Sequence, residues 1–241
     1  MTVGVSLPRG SGSVAHEDHG PPPEKGAEDV AFDSIYPLSI RIISRRFWTP
    51  VDVARRAAQL LRQAGARRVL DVGSGVGKFV LVAAAAVPEL RFVGVEQRAH
   101  LVEVARRAHE RLQVPNAFFV VGEATSSSWR GFDGFYFFNP FAENLFVDGD
   151  QLDDTVELTY LRFFRDVVRT ERALRDAPLG TAVATYHGMS GRMPACYELS
   201  QTTRAGSDWL RLWVKTRERA EGFFLEYGDG VILHRADGAP A

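Results

Sequence analysis

Cysteine is almost absent from the 241-residue sequence, and its scarcity excludes two kinds of site. The single cysteine, Cys196, cannot form an internal disulfide or a zinc site built from several thiolates. One reduced cysteine is typical of the cytoplasm, so we expect a cytoplasmic protein in which Cys196 is a small buried hydrophobic residue. We predict no metal site.

Excess charge of one sign and long hydrophobic runs are also missing. The chain has 29 Lys and Arg residues against 30 Asp and Glu residues, a formal net charge of −1 at pH 7. This balance provides no overall field for nucleic acid or an anionic membrane, so we rank a protein or small molecule above nucleic acid as partner. The longest apolar run, residues 79–87, is too short to span a bilayer, and no charged stretch followed by an apolar one opens the chain. We therefore expect a soluble, unexported protein with no membrane partner.

Composition divides the chain into three parts. Residues 1–29 are rich in Gly, Pro, Ser and acidic residues, so they cannot bury enough apolar surface to fold and predict a flexible tail. Residues 30–66 have helical patterns and predict an N-terminal helical region. Residues 67–241 predict the core domain, because strand and helix patterns alternate there.

Two helices are predicted ahead of the core. The first covers about residues 32–46 and is broken or started by Pro37. The second begins at Thr49, which can cap it together with Asp52 in a capping box, and ends at Gly65.

The core predicts an α/β fold of the doubly wound type, with a mostly parallel sheet of seven strands. The predicted parallel strands are Arg68–Val72, Arg91–Glu96, Ala117–Val121, Gly134–Phe138 and Thr181–Tyr186. One predicted helix runs from Gly77 to about Val87. The other two lie within about His100 to Leu112 and roughly Asp154 to Arg175. Residues 197–204 and 209–215 flank a short polar turn and predict a C-terminal antiparallel hairpin. A further short hairpin is predicted around residues 228–233.

A glycine-rich turn follows the first predicted strand. The run VLDVGSGVGKF, residues 69–79, predicts a strand, a tight turn and a helix start, which is how open α/β sheets hold adenosine-containing cofactors. Gly73, Gly75 and Gly77 let the backbone turn sharply and approach a ligand closely. Their spacing is G-x-G-x-G, whereas the dinucleotide fingerprint needs a glycine where this chain has Lys78.

Asp71 at the tip of this strand selects among adenosine-containing cofactors. A carboxylate there repels the pyrophosphate of a dinucleotide. It attracts the ammonium and sulfonium groups of S-adenosylmethionine. We therefore predict S-adenosylmethionine as the cofactor, with Asp71 on the methionyl amine, and keep a nicotinamide cofactor as the second interpretation.

Acidic side chains end the next two strands. Glu96 has the reach to accept both ribose hydroxyls, although a solvent-facing acid is its alternative. Glu123 is placed to accept from the adenine amino group, unless this segment is only a loop. The other predicted cofactor residues are Thr49 and Ser74 in the pocket lining, Gln97 beside the adenine, and Ala124 with its backbone amide.

The predicted catalytic residues follow the fourth strand. Asn139, Pro140 and Phe141 stand at the edge of the sheet where ligands bind, close to the expected sulfonium. The proline turn can direct carbonyl oxygens at an amino group, which Asn139 orients and Phe141 covers. The alternative is a simple chain turn after a buried strand. His187 follows the fifth strand on the same edge and is the one histidine placed to act as a base.

These motifs resemble the class I, seven-strand S-adenosylmethionine-dependent methyltransferases over roughly residues 49–215. DVGSGVG at 71–77, Glu96, and Gly122-Glu123-Ala124 followed by Trp129 are locally similar to non-SET histone-lysine methyltransferases and their bacterial relatives. Asn139-Pro140-Phe141 is closer to the Asn-Pro-Pro-aromatic motif of amino-group methyltransferases.

The resemblance implies methyl transfer from S-adenosylmethionine to a nitrogen nucleophile, or less favourably an oxygen, of a protein or small molecule. Two alternatives stay open from the residues. One is a catalytically inactive subunit that binds the cofactor and stabilises a partner enzyme. The other is an NAD-dependent oxidoreductase.

Overall fold

A computed structural model of the chain describes residues 26–42, 48–146 and 151–218. The helices are α1 (Ala27–Asp33), α2 (Leu38–Arg41), α3 (Val51–Gln63), α4 (Lys78–Ala86), α5 (Ala99–Leu112) and α6 (Tyr160–Asp176). The strands are β1 (Arg68–Val72), β2 (Arg91–Glu96), β3 (Ala117–Val121), β4 (Gly134–Phe137), β5 (Ala182–Tyr186), β6 (Tyr197–Ala205) and β7 (Asp208–Lys215). Short 3₁₀ helices cover Ala124–Ser126 and Ala142–Leu145.

The strands form one sheet in the order β3-β2-β1-β4-β5-β7-β6. Strands β1 to β5 pair in parallel, and β7 is antiparallel to both β5 and β6. This confirms the predicted doubly wound, mostly parallel sheet with a C-terminal hairpin. The chain reverses direction across the sheet between β1 and β4, which places a ligand-binding crevice beyond the carboxyl ends of these strands.

Alternating residues of the strands supply two apolar cores, one on each face of the sheet. Helices α3, α4 and α5 cover one face, and α4 is buried along most of its length because it lies against α3, α5 and the sheet. Helix α6 covers the other face, where Leu174 is fully buried. The two layers fix the position of every strand end at the crevice. Cys196 is buried, as predicted.

The N-terminal region differs from the sequence prediction in three respects. Helix α1 begins at Ala27, inside the stretch assigned to the tail, and residues 1–25 lie outside the described part. In place of one helix over 32–46 there are α1 and α2, because Pro37 lacks the N–H needed to continue a helix and instead precedes α2; residues 43–46 are outside the described part. Thr49 does not cap α3, and no capping box forms.

Two further boundaries moved. Helix α6 starts at Tyr160, six residues later than predicted, because the Thr159 hydroxyl accepts from the Arg162 amide at 3.2 Å and caps the helix there. The hairpin predicted at 228–233 lies outside the described residues. None of the helices in the described ranges combines the length and the apolar character that crossing a membrane requires.

Candidate active site

The loop between β1 and α4 is fastened to the end of β2. The amides of Gly73 and Ser74 both donate to the Val95 carbonyl at 3.0 Å. The Gly75 amide donates to Glu96 Oε2 at 3.1 Å. The predicted glycine turn and the predicted ribose acid therefore meet at one place.

The three glycines of this loop serve different purposes. All have positive φ, at +79° for Gly73, +53° for Gly75 and +76° for Gly77. A Cβ on Gly75 would meet no atom within 4 Å, so this glycine faces open space. A Cβ on Gly73 would lie 3.2 Å from Pro140 Cβ. A Cβ on Gly77 would lie 2.3 Å from Phe119 Cε1, so its lack of a side chain serves core packing, while its approach to a ligand stays a prediction.

Ser74 turns its side chain towards the sheet. A Cβ on Gly94 would lie 2.6 Å from Ser74 Oγ, so the hydroxyl sits directly over the β2 backbone. This buried oxygen has no hydrogen-bond partner among the described residues. A ligand in the crevice would therefore contact the backbone of Ser74 more easily than its hydroxyl.

Two buried carboxyl groups stand beside the loop. Asp71 is 4% exposed, and burial together with the nearby charge of Glu96 raises the pKa of Asp71 well above its ordinary range. Burial also raises the pKa of Glu96, although amides from Arg98 and Gly75 donate to its two oxygens and act in the opposite direction. Each oxygen of Glu96 keeps a second lone pair for a ligand hydroxyl. A cation placed next to Asp71 would stabilise its ionised form.

Thr49 reaches the same region from the N-terminal side. Its hydroxyl and that of Tyr136 form a hydrogen bond of 2.9 Å, and both residues are buried. The ring of Tyr136 stacks on Phe79 with centroids 3.6 Å apart, and Tyr136 pairs with Asp71 across the β1–β4 register. Thr49 therefore connects the N-terminal segment to Asp71 through Tyr136.

Gln97 and Glu123 are joined by a residue that sequence reasoning missed. Arg162 of α6 donates through one nitrogen to Gln97 Oε1 and, at 2.7 Å, to Glu123 Oε1. The other Glu123 oxygen accepts from Ser126 at 3.0 Å. The guanidinium thus stands between the two side chains predicted at the adenine. Ala124 uses its carbonyl to accept from Trp129 Nε1 at 2.8 Å.

A second missed residue, Arg98, ties the segment after β4 to the end of β2. Its side chain is buried and forms a two-pronged contact with Glu143 at 2.9 and 3.1 Å. It also donates to Asp153 at 2.8 Å. This clamp ties Glu143 and Asp153 to the end of β2. The one signal in the sequence is an arginine two positions after Glu96, a predicted site acid.

Lys78 at the start of α4 anchors helix α1. Its ammonium lies 2.5 Å from Asp29 and 2.8 Å from Asp33, and it is buried. Asp29 also accepts from the Val51 amide at 3.0 Å, which gives α3 the cap that Thr49 does not provide. Trp48 lies nearby with Lys78 over its ring at 5.9 Å. Lys78 is therefore occupied by these carboxylates.

The predicted catalytic turn is fastened to the loop after β5. Asn139 has φ +41°, its amide donates to Gly188 O at 3.0 Å, and its side-chain oxygen accepts from Ser190 at 2.6 Å. The Phe141 amide donates to the same Ser190 hydroxyl at 3.2 Å. Phe141 itself is buried in the core on the α6 side, so it stands as a packing residue here, and its role as an acceptor cover stays a prediction.

His187 lies at the edge where the sequence placed it. It has φ +56°, and its ring is 5.1 Å from that of Phe138. Non-glycine residues in this backbone region are uncommon, and Asn139, His187 and Ser190 bring three of them to adjacent loops. Such clustering is typical of a functional edge.

These residues fit the methyl donor. The open space at Gly75 and the paired buried acids provide a cradle for an adenosine bearing an ammonium. A dinucleotide fits less well, because its fold continues with parallel strands where this sheet has the β6–β7 hairpin. Among the described residues no group of three or more His, Cys, Asp or Glu side chains is arranged to hold a metal ion.

Comparison with known proteins finds a family match for the part of the chain that contains the glycine loop. Residues 64–147 match the family model described as a methyltransferase domain. A tRNA (guanine-N(7)-)-methyltransferase of Microcystis aeruginosa is 45% identical over 53 residues, which are 22% of this chain and 25% of that protein. The chain therefore matches about a quarter of that relative.

Two solved structures share the fold. A methyltransferase from Geobacter sulfurreducens aligns with a TM-score of 0.53 and 16% identity, over 80% of this chain and 92% of its own. An RNA methyltransferase from Salinibacter ruber, in complex with S-adenosyl-L-homocysteine, aligns with a TM-score of 0.50 and 20% identity, over 72% and 96%. Residues 64–147 thus match a family model described as a methyltransferase domain, and the sheet shares the Rossmann-like fold of these two methyltransferase structures.

Proposed function

We propose that the protein is an S-adenosylmethionine-dependent methyltransferase acting on a nitrogen nucleophile. The observation that carries the proposal is the buried carboxyl of Asp71 at the tip of β1, beside the open backbone of Gly75. The lysine of this loop, Lys78, is held by Asp29 and Asp33. A ligand ammonium is the cation that this arrangement favours, and a pyrophosphate is the group it disfavours.

Different residues around the crevice would bind different parts of the donor. Asp71 would bind the methionyl ammonium, Glu96 the ribose hydroxyls, and Gln97 and Glu123 the adenine. The donor supplies an activated methyl group when it is bound. Because displacement at a sulfonium disperses charge, alignment in a dry site provides much of the rate. The fastened turn at Asn139 and Pro140 supports such alignment.

An amino or amide nitrogen of a protein or small molecule is the acceptor we favour. Two similar proteins are named as RNA methyltransferases, which keeps RNA as the competing acceptor. RNA binding depends on phosphate contacts with basic residues, and this chain has a formal net charge of −1. The Asn-Pro-Phe turn would suit an N–H donor, because Pro140 lies against Gly73 of the glycine loop.

Radiolabelled donor tests both parts of the proposal. Wild type and the Asp71→Asn variant are incubated with methyl-labelled S-adenosylmethionine and cell extract, and the extract is then separated into protein, RNA and small molecules. We expect label in the protein or small-molecule fraction with wild type and a strong reduction with the variant. Label in RNA would correct the acceptor. Donor binding without label in any fraction would instead identify an inactive cofactor-binding subunit.

A further inference from the structure

His187 is held between two side chains of the β6–β7 hairpin. Its Nδ1 lies 3.2 Å from Asp208 Oδ2, and its Nε2 lies 3.2 Å from Ser207 Oγ. Asp208 begins β7, and Ser207 belongs to the two-residue turn before it. A carboxylate on one ring nitrogen and a polar group on the other is the arrangement that fixes the tautomer of a basic histidine.

The imidazole lies beside the predicted acceptor turn. Its ring contacts Phe138, the residue before Asn139, and the Gly188 carbonyl accepts from the Asn139 amide at 3.0 Å. Phe138 packs on the same face of the sheet as Tyr136, which pairs with Asp71. His187 therefore stands on the face that holds Asp71, one strand beyond Asn139.

The groups that face His187 come from three elements. Asp208 faces it from β7, Tyr186 from its own strand with ring centroids 4.5 Å apart, and Phe138 from the end of β4. Tyr186 keeps its proton engaged, because its hydroxyl donates to the Ala205 carbonyl at 2.9 Å. Asp208 is thus a charged partner of the ring.

We propose that His187 is the general base of the acceptor site and that Asp208 is its positioning residue. This inference rests on the proposed function and names the acceptor class: an alkylamine that arrives as an ammonium ion. His187 Nε2, at the place now taken by the Ser207 hydroxyl, accepts one proton from this ammonium. The lone pair left on nitrogen forms the bond to the donor's methyl carbon, and the electrons of the broken S–C bond stay on sulfur. The proton on His187 then passes to water.

A base of this kind separates two acceptor chemistries. An alkylammonium has no lone pair until a proton leaves, whereas a ring nitrogen such as guanine N7 is already an acceptor of hydrogen bonds and needs no base. The His187–Asp208 pair would have no task with a ring nitrogen. The pair therefore favours an alkylamine acceptor over guanine N7, the atom named for the Microcystis relative.

Nuclear magnetic resonance and transfer assays on the full chain test the proposal. Protein labelled with ¹⁵N-histidine, saturated with S-adenosylhomocysteine, reports the tautomer of His187 in wild type and in Asp208→Asn. Transfer of labelled methyl to fractionated cell extract is followed across pH for wild type, His187→Gln, Asp208→Asn and His100→Gln. His100 is the matched control, because it also contacts an aspartate, Asp153, at 3.3 Å, but on α5.

We expect wild-type His187 to carry its proton on Nδ1 and the Asp208→Asn variant to lose this preference. We expect His187→Gln to lower transfer roughly 10²-fold near neutral pH with S-adenosylhomocysteine affinity unchanged. The deficit should shrink as the pH approaches the pKa of an alkylammonium, about 10, because the acceptor then loses its proton without a base. His100→Gln should match wild type.

Three results would overturn the inference. A proton on Nε2 of wild-type His187 would remove the base geometry. Transfer by His187→Gln at the wild-type rate, or a deficit that is the same at every pH, would assign the residue a structural role. Absence of label with wild type is distinguishable from these, because it refutes the proposed function itself and this inference with it.

Discussion

The donor side and the acceptor side of the crevice are built in different ways. On the donor side, β1, its glycine loop and the end of β2 are joined by contacts between residues about 20 positions apart, such as Gly75 with Glu96. On the acceptor side, contacts join distant parts of the chain, because both Asn139 and Phe141 bond the Ser190 hydroxyl. The family match at 64–147 covers the donor loop and Asn139 but stops before β5 and the Ser190 hydroxyl that holds Asn139. A cofactor site can therefore be recognised from one local motif, whereas an acceptor site needs the folded chain.

On the donor side, the buried Lys78 and its two aspartates anchor helix α1 to the start of α4. We expect Lys78→Met to lower the free energy of unfolding by about 3–5 kcal/mol, because Asp29 and Asp33 would lose the cation that compensates them. Urea unfolding measures this. Arg55→Met is the control. Its ion pair with Glu28 is exposed, so losing this pair should lower the free energy of unfolding by at most about 1 kcal/mol. Equal effects would show that α1 is not anchored through Lys78.

The glycine loop itself offers a contrast between folding and binding. Gly77→Ala should destabilise the fold by roughly 2–5 kcal/mol, because the new Cβ enters the Phe119 ring and the backbone has positive φ. Gly75→Ala should cost only about 1–2 kcal/mol of stability, from φ alone, yet weaken S-adenosylhomocysteine binding strongly. Unfolding curves and calorimetric titrations separate the two effects. A Gly75→Ala protein with normal affinity would contradict the cradle.

Asp71 should give donor binding a characteristic pH dependence. Burial and Glu96 raise the pKa of Asp71, so binding of an ammonium must ionise the group, and affinity for S-adenosylhomocysteine should rise with pH across this range. Asp71→Asn should remove that slope and lower affinity by about 1.5–3 kcal/mol. The ligand-free protein should show the opposite trend: its stability falls as pH rises from the ordinary carboxyl range towards the raised pKa, because only the folded state keeps the proton there. Calorimetry and unfolding at several pH values measure both.

The smallest expected effect concerns Arg162. Arg162→Ala should weaken S-adenosylhomocysteine binding by up to about tenfold, because Gln97 and Glu123 lose their common anchor. Preference for this ligand over S-inosylhomocysteine, which lacks the adenine amino group, should also fall. Arg169→Ala is the control, since Arg169 contacts Ser126 at the surface. An unchanged preference would remove Glu123 from the adenine site.

The sequence predicted the sheet because each strand and helix there has its own local pattern. The alternation from β1 to β5, and the hairpin around Gly206, needed no long-range information. The N-terminal prediction failed where a distant group decided the outcome: Asp29 caps α3, so Thr49 is left to bond Tyr136.

The candidate site follows the same rule. Asp71, the glycines and Glu96 were found because they lie in one motif. Arg98 and Arg162 were missed because the acids that bring them to the site, Glu143 and Glu123, lie 45 and 39 positions away in the chain. Nothing in the local sequence distinguishes these arginines from others on helices and loops.

Calorimetric titration of wild type with S-adenosylhomocysteine, and separately with NADH, tests the central claim most directly. The account predicts one site for S-adenosylhomocysteine, lost or strongly weakened in Asp71→Asn, and no binding of NADH. Binding of NADH with no heat from S-adenosylhomocysteine would contradict it, because the acid at the tip of β1 would then tolerate a pyrophosphate.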